Sequence, residues 1–311
     1  MHIPNIGGQP AHDLTYASNL QHTESRKVIS AEKLYCLTNI EQLPHQILIK
    51  GSVKIDPSNF RSLALLRSKD VEIEGSFTCE DICLSKLLDT EMGDADQEML
   101  YSWFHKLKVK DNVHFTNLSA PFALANTLEV GENLSIKSCA KPIVLPQVLN
   151  VGKNIALSNC MGLTSLSEGL EVKGNLDIYR CTNLTSFPKS LKVGGYLAAR
   201  ELRSLTSLPE ELWVGGDCNL FLCSAVTHLP ENFTVGGSLD LASCKALTAL
   251  PKGFKVGGSL SLLGCENLIS LPQDLKIKGF LDLSHCTGIT SLLEGFQVGG
   301  NLNLFYLEGF R

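Results

Sequence analysis

Lys192-Val193-Gly194-Gly195 decides the reading of the fold, because the same corner keeps returning. A Val or Ile leading into a Gly-containing corner stands at Val130, Val151, Val172, Val193, Val214, Val235, Val256, Ile277 and Val298, each 21 residues after the last. Val109 extends the series one step towards the N-terminus. A strict period in this range is the signature of a solenoid, in which each coil is one unit stacked on its neighbours.

The coil from Val235 to Pro251 shows what each period holds. Leu239 and Leu241 alternate with polar residues, which predicts a strand. Phe254 and Val256 alternate just before the next Gly257-Gly258, which predicts a second short strand leading into the corner. The glycines permit a tight turn where a side chain, or a restriction to negative φ, would obstruct it. Pro251, like Pro188, Pro209, Pro230 and Pro272, fixes an extended connection. A 21-residue coil leaves no room for a full helix on the far side, which is expected to be extended or 3-10.

Outward from the regular coils the chain divides in three. Residues 1–27 hold Pro4, Gly7, Gly8, Pro10 and many small polar residues without a period, and read as a flexible leader, either an ordinary frayed terminus or a secretion signal. Residues 28–108 carry degenerate repeats: Val53-Lys54-Ile55 recurs as Phe77 and Cys79 after 24 residues, and Ile73 to Val109 spans 36. The extra residues predict one inserted helix at about 94–107, with Asp94 or Asp96 as cap and Met99, Leu100, Trp103, Phe104 and Leu107 on one face. It is expected to cap the irregular coils. Residues 109–311 are the regular repeats.

Totals exclude several classes. A net charge of −5 argues against a generic nucleic-acid or anionic-membrane binder, and no apolar run approaches a membrane span. Of 11 cysteines, Cys139, Cys160, Cys181, Cys223, Cys244, Cys265 and Cys286 share one repeat position. Side chains stacked about 4.8 Å apart and pointing the same way suit buried thiols, not disulfides or zinc, whose ligand pairs are closely spaced. Cys79 and Cys83 lack a second ligand pair and read as buried thiols, so neither metal nor cofactor is expected. Reduced cysteines imply a reducing cytosol.

The pattern L-x-L-x-x-C-x-x-L-T-S-L-P, carried by Leu176 to Pro188 (with Ile178 and Phe187 at two of the leucine positions) and by its neighbours, resembles leucine-rich repeats, with Cys at the position where that superfamily carries Asn or Cys. The resemblance covers roughly residues 34–311. Short coils carrying L-T-S-L-P are similar to the repeats of bacterial type III secreted effectors, which act in virulence and host–pathogen interaction, though Val-Gly-Gly and Cys depart from their corner and Asn. The resemblance implies a parallel concave sheet of L-x-L strands, an extended or 3-10 convex side and a partner protein on the concave face.

That sheet defines candidate contacts. Of the residues between the two Leu positions, Asp177, Asn219, Asp240 and Asp282 face outward. Tyr179, Arg200, Phe221 and Phe305 stand in the next outward column, and Tyr196 and Phe280 in the one before. Tyr179, Tyr196, Arg200 and Phe221, flanked by Arg180 and Glu201, have the composition of an interface hot spot. Phe280, Phe305 and Tyr306 form a second group towards the C-terminal edge, where the solenoid end lacks a polar cap and end-to-end self-association is expected.

Catalytic constellations do not emerge. His114, His228 and His285 occupy different coils and repeat positions, and Asp177, Asp240 and Asp282 are too far apart for paired-carboxylate chemistry. The Gly-Gly corners open no phosphate loop, and the Cys column lacks a base. The sequence therefore points to a non-enzymatic protein-binding module, and the resemblance implies a bacterial effector acting on a host protein. Its alternative is the substrate-recognition part of an effector E3 ubiquitin ligase with its catalytic domain outside these residues.

Overall fold

The computed structural model describes residues 26–34, 43–56, 66, 69–80, 104–119, 121–231, 233–292 and 295–307. They wind into a parallel β-solenoid of about 11 coils of about 21 residues, with almost no helix. The first coils contribute β1 (Lys27–Ser30), β2 (Gln46–Lys50), β3 (Val53–Ile55), β4 (Asp70–Ile73), β5 (Phe77–Glu80), β6 (Phe104–Val109) and β7 (Val113–Thr116). Beyond them each coil repeats a short strand, a glycine corner and a second short strand.

The L-x-L strands form one continuous 12-stranded parallel sheet from Val53–Ile55 to Leu302–Asn303. Its register steps by one coil, as in Leu239↔Leu260 and Asp240↔Ser261. The strands before the corners form two further parallel sheets. Six strands run from Lys27–Ser30 to Val148–Val151, and seven from Glu171–Val172 to Gln297–Val298. Between the two, the N–H of Gly174 still donates to the carbonyl of Lys153 at 2.9 Å. The third side is a turn around each Cys followed by an extended run, joined by isolated bridges such as Ala249↔Ser270.

Alternation explains the core. In one coil Leu239, Leu241, Cys244, Leu247, Leu250, Phe254 and Val256 are all buried, so each strand turns its apolar side inwards. The wider N-terminal coils are filled by aromatic rings instead. Phe77 meets Phe104 edge-on at 5.9 Å and Phe115 at 5.6 Å, and Phe115 stacks on Phe122 at 5.7 Å.

Three expectations are corrected here. Phe104–Leu107, placed at the end of an inserted helix, lie in β6, paired in parallel with β4 and with the strand Ala125–Val130. Residues 94–103 lie outside the described residues. Lys27, read as the end of the leader, opens β1 and pairs with Ile47, while residues 1–25 lie outside the description. In the regular coils the corner glycines do not need positive φ, although Gly51 between β2 and β3 adopts it at 94°: a Cβ on Gly236 would lie 2.1 Å from the carbonyl oxygen of Gly215, one coil back. Space between coils, not backbone freedom, is what excludes a side chain there.

Positive φ is needed elsewhere, in a column the sequence did not disclose. Asn117, Ser138, Asn159, Arg180, Glu201, Leu222, Ser243, His285 and Tyr306 have φ between 55° and 62°, and Gly264 completes the column at 71°. Each stands directly before the inward turn to the Cys position, where one left-handed residue redirects the chain from the sheet into the core.

Candidate interaction surface

Of the predicted contact residues, Asp177, Asn219, Asp240 and Asp282 lie in strands of the 12-stranded sheet, Tyr196 and Phe280 just before its strands, and Tyr179, Arg180, Arg200, Glu201, Phe221, Phe305 and Tyr306 in the turns that follow them. Two of the sheet's columns are organised by the backbone before they are free to meet a partner. Where the chain leaves each glycine corner, a side chain accepts the next coil's N–H. Asn112, Asn133 and Asn154 present Oδ1 to the N–H groups of Asn133, Asn154 and Asn175 at 3.2, 3.2 and 2.8 Å. Asn175 does so for Tyr196 at 2.9 Å, Asp217 for Ser238 at 2.7 Å and Ser259 for Phe280 at 3.1 Å. This column is a polar ladder first and a surface second. Tyr196 and Phe280 replace its small polar side chains and remain exposed.

Asp177, Asn219, Asp240 and Asp282 are likewise engaged. Each side-chain oxygen accepts the N–H two residues on, at 3.0, 2.9, 2.9 and 2.9 Å. The second oxygen of Asp177 accepts the hydroxyl of Ser158 at 2.8 Å. That N–H has lost its ladder acceptor, because the carbonyl one coil back serves the turn. Leu220 O, for instance, accepts both the Cys223 N–H at 3.0 Å and the Cys244 thiol at 3.3 Å. The recurrence of Asp or Asn at this position therefore has a backbone explanation.

One predicted cluster does assemble. The guanidinium of Arg200 sits 4.9 Å from the centre of the Tyr179 ring and that of Arg180 5.3 Å from it. The Tyr179 hydroxyl donates to Glu201 Oε1 at 3.2 Å, and Arg180 Nε donates to Glu201 Oε2 at 3.0 Å. The hydrogen bond from Arg180 holds the Glu201 carboxyl below its ordinary range, and Glu201 raises Arg180 in return. Two cations around one aromatic face, anchored by one carboxylate, give a fixed patch with Arg200 exposed at its edge. Phe221 stands one coil further on, half-buried, and Tyr196 lies on the corner side.

The second predicted group separates. Phe280, Asp282 and Phe305 line a shallow cleft with Asn301, Leu302 and Asn303. Tyr306 instead stacks on His285 at 4.5 Å, in the left-handed column.

The Cys column is not uniform: a hydrogen bond from the Cys160 thiol holds Cys139 below its ordinary value, whereas burial raises others. Cys181, Cys223 and Cys265 are buried, and desolvation pushes each thiol up to about 12. The described cysteines are all free and buried, Cys79 among them.

A group that the sequence reading missed lies on the corner side of the N-terminal coils. His105 Nδ1 is 2.8 Å from Asp70 Oδ1, and His45 Nδ1 is 3.4 Å from Asp70 Oδ2. Aligning Ile49, Ile73 and Val109, the three core residues that pair across these strands, sets His45 and His105 at one repeat position. That alignment was the available signal, and the helix assigned to His105 hid it.

No protein-family profile, no curated protein and no solved structure matches this chain.

Proposed function

We propose that the chain is a leucine-rich-repeat binding module that holds a partner protein on the face of its 12-stranded sheet. The observation that carries this reading is the Tyr179–Arg180–Arg200–Glu201 cluster: an aromatic ring and two guanidinium groups fixed in place before any partner arrives. Side chains already held in one arrangement lose little freedom on binding, and Tyr and Arg are the residues enriched at interface centres. Phe221 extends the patch along the stack, and a rigid parallel sheet keeps the columns at a fixed spacing.

Within the same reading the chain is a bacterial effector and its partner is a host protein met in a reducing cytosol. The repeats' L-x-L-x-x-C-x-x-L-T-S-L-P pattern is the support for that assignment.

The test is affinity capture from eukaryotic cell lysate with the wild-type chain beside a Tyr179→Ala, Arg200→Ala, Phe221→Ala triple variant, both verified as folded by melting curves. A host protein retained by the wild type and lost by the variant supports the proposal. Capture of the same protein by both removes the patch from the interface. Capture of none by either removes the support for a host target.

A further inference from the structure

The geometry points to a divalent metal site of the zinc class formed by His45, Asp70 and His105. The residues come from three neighbouring strands. His45 immediately precedes β2, Asp70 opens β4, and His105 lies in β6. Asp70 N–H donates to the His45 carbonyl at 2.9 Å, and His105 N–H donates to the Lys69 carbonyl at 3.1 Å. The backbone beneath all three side chains is thus fixed by the ladder before any ion binds.

Their ligand atoms all lie within 4.8 Å of one another. Tetrahedral coordination at bond lengths of about 2.0–2.2 Å requires separations of about 3.4 Å, so small rotations of exposed side chains bring the atoms into place. Two imidazole nitrogens and one carboxylate oxygen suit zinc or its first-row neighbours, whereas calcium and magnesium prefer shells of oxygen. A three-residue set leaves one position for water.

The surrounding charges leave the site available. Lys106 Nζ is paired with Glu129 at 2.8 Å, and Lys69 Nζ donates to the Leu43 carbonyl at 3.1 Å. Neither cation is committed to Asp70 in its place. An ion here would tie together the three coils in which the 21-residue period is broken.

The site can be tested on the 311-residue chain, purified free of metal. Titration calorimetry with zinc chloride should show one equivalent taken up by the wild type, a raised melting temperature, and no such effect from magnesium or calcium chloride. The His45→Gln, His105→Gln double variant, which replaces a half-exposed and an exposed side chain, should stay folded and lose that equivalent. A cobalt-loaded wild type should show ligand-field absorption without a thiolate-to-cobalt charge-transfer band, which needs no variant. Absence of uptake by the wild type, uptake preserved in the double variant, or a thiolate band would each overturn the proposal. The last two would transfer the ion to other histidines or to the cysteines.

Discussion

The Cys244 thiol donates to the carbonyl of Leu220, one coil back, across 3.3 Å. Cys223, Cys265 and Cys286 make the same bond to Ala199, Leu241 and Leu262 at 3.1, 3.2 and 3.0 Å. The column is therefore more than a stack of small apolar side chains. Each thiol supplies a weak donor to a carbonyl that the turn has drawn out of the regular ladder, and at Leu118, Leu202 and Leu307 the donor is replaced by bulk.

This placement predicts alkaline lability. Burial raises Cys181, Cys223 and Cys265 from 9.0 to about 12, so the folded chain retains protons that the unfolded chain releases above 9.0. The unfolded state then binds fewer protons, and stability falls as pH rises. The contribution is complete below pH 9 and is lost progressively between 9 and 12, at up to about 1.4 kcal/mol per thiol and pH unit. Urea midpoints measured from pH 7 to 10.5 should hold level and then drop steeply. A Cys223→Ala variant, less stable at neutral pH, should show a shallower drop. A midpoint that stays level through pH 10.5 contradicts the buried column.

The amide ladder predicts a contrast between two chemically identical substitutions. Asn154 both accepts the Asn175 N–H and donates its own Nδ2 to Asn133 Oδ1 at 2.8 Å. In Asn154→Asp a carboxylate oxygen replaces that donor and faces another oxygen, which should cost about 1–3 kcal/mol. Asn175 accepts the Tyr196 N–H through Oδ1, a role that an Asp oxygen retains. Asn175→Asp should stay within about 0.5 kcal/mol of the wild type. Denaturant unfolding of the two variants at neutral pH decides the matter, and equal losses would remove the ladder's directionality.

The stacking of coils was legible because one stereochemical problem is solved repeatedly. Leu239 and Leu241, Cys244 and Val256 recur at 21 residues, and any one coil explains the others. The irregular coils were not legible for the same reason. In β6 the buried residues are Phe104, Leu107 and Val109, a spacing of three and then two that imitates a helical face. Ala125, Leu128 and Val130 repeat that spacing in the adjoining strand, and comparing the two would have assigned both. At the candidate surface, the repeat register grouped Tyr179, Arg180, Arg200 and Glu201, which do meet, with Tyr196 and Phe221, which stand apart from that contact. It gave no sign that Asp177, Asn219, Asp240 and Asp282 were occupied by their own backbone, because that depends on carbonyls withdrawn from the ladder by the turn.

The two kinds of glycine should respond in opposite order to the same pair of substitutions. A Cβ on Gly236 would press on the neighbouring coil's backbone, whereas at Gly169 nothing lies within 4 Å but φ is 65°. Gly236→Ala should cost about 1–3 kcal/mol through overpacking, and the larger Gly236→Asn more. At Gly169 the penalty is conformational, about 1–2 kcal/mol for Ala, and Asn, which enters the left-handed region more readily, should cost less. Thermal melts of the four variants test this reversal. The same order at both sites would mean that coil spacing yields to accommodate a side chain.

The Tyr179–Arg200 contact makes the final prediction specific to stacking. A guanidinium lies flat against an aromatic face and keeps its donors at the edge, whereas an ammonium is a compact, strongly hydrated charge. If the 4.9 Å contact fixes Arg200 for a partner, Arg200→Lys should preserve net charge and fold yet lose capture nearly as fully as Arg200→Ala. Buried hot-spot arginines typically cost at least about 2 kcal/mol when truncated, a loss of roughly thirtyfold in affinity. The measurement is surface plasmon resonance of both variants against the captured protein at two salt concentrations. Binding by Arg200→Lys at wild-type strength, weakening with salt, would reduce the site to a positive charge. Loss in both variants would establish the stacked guanidinium as the recognition element.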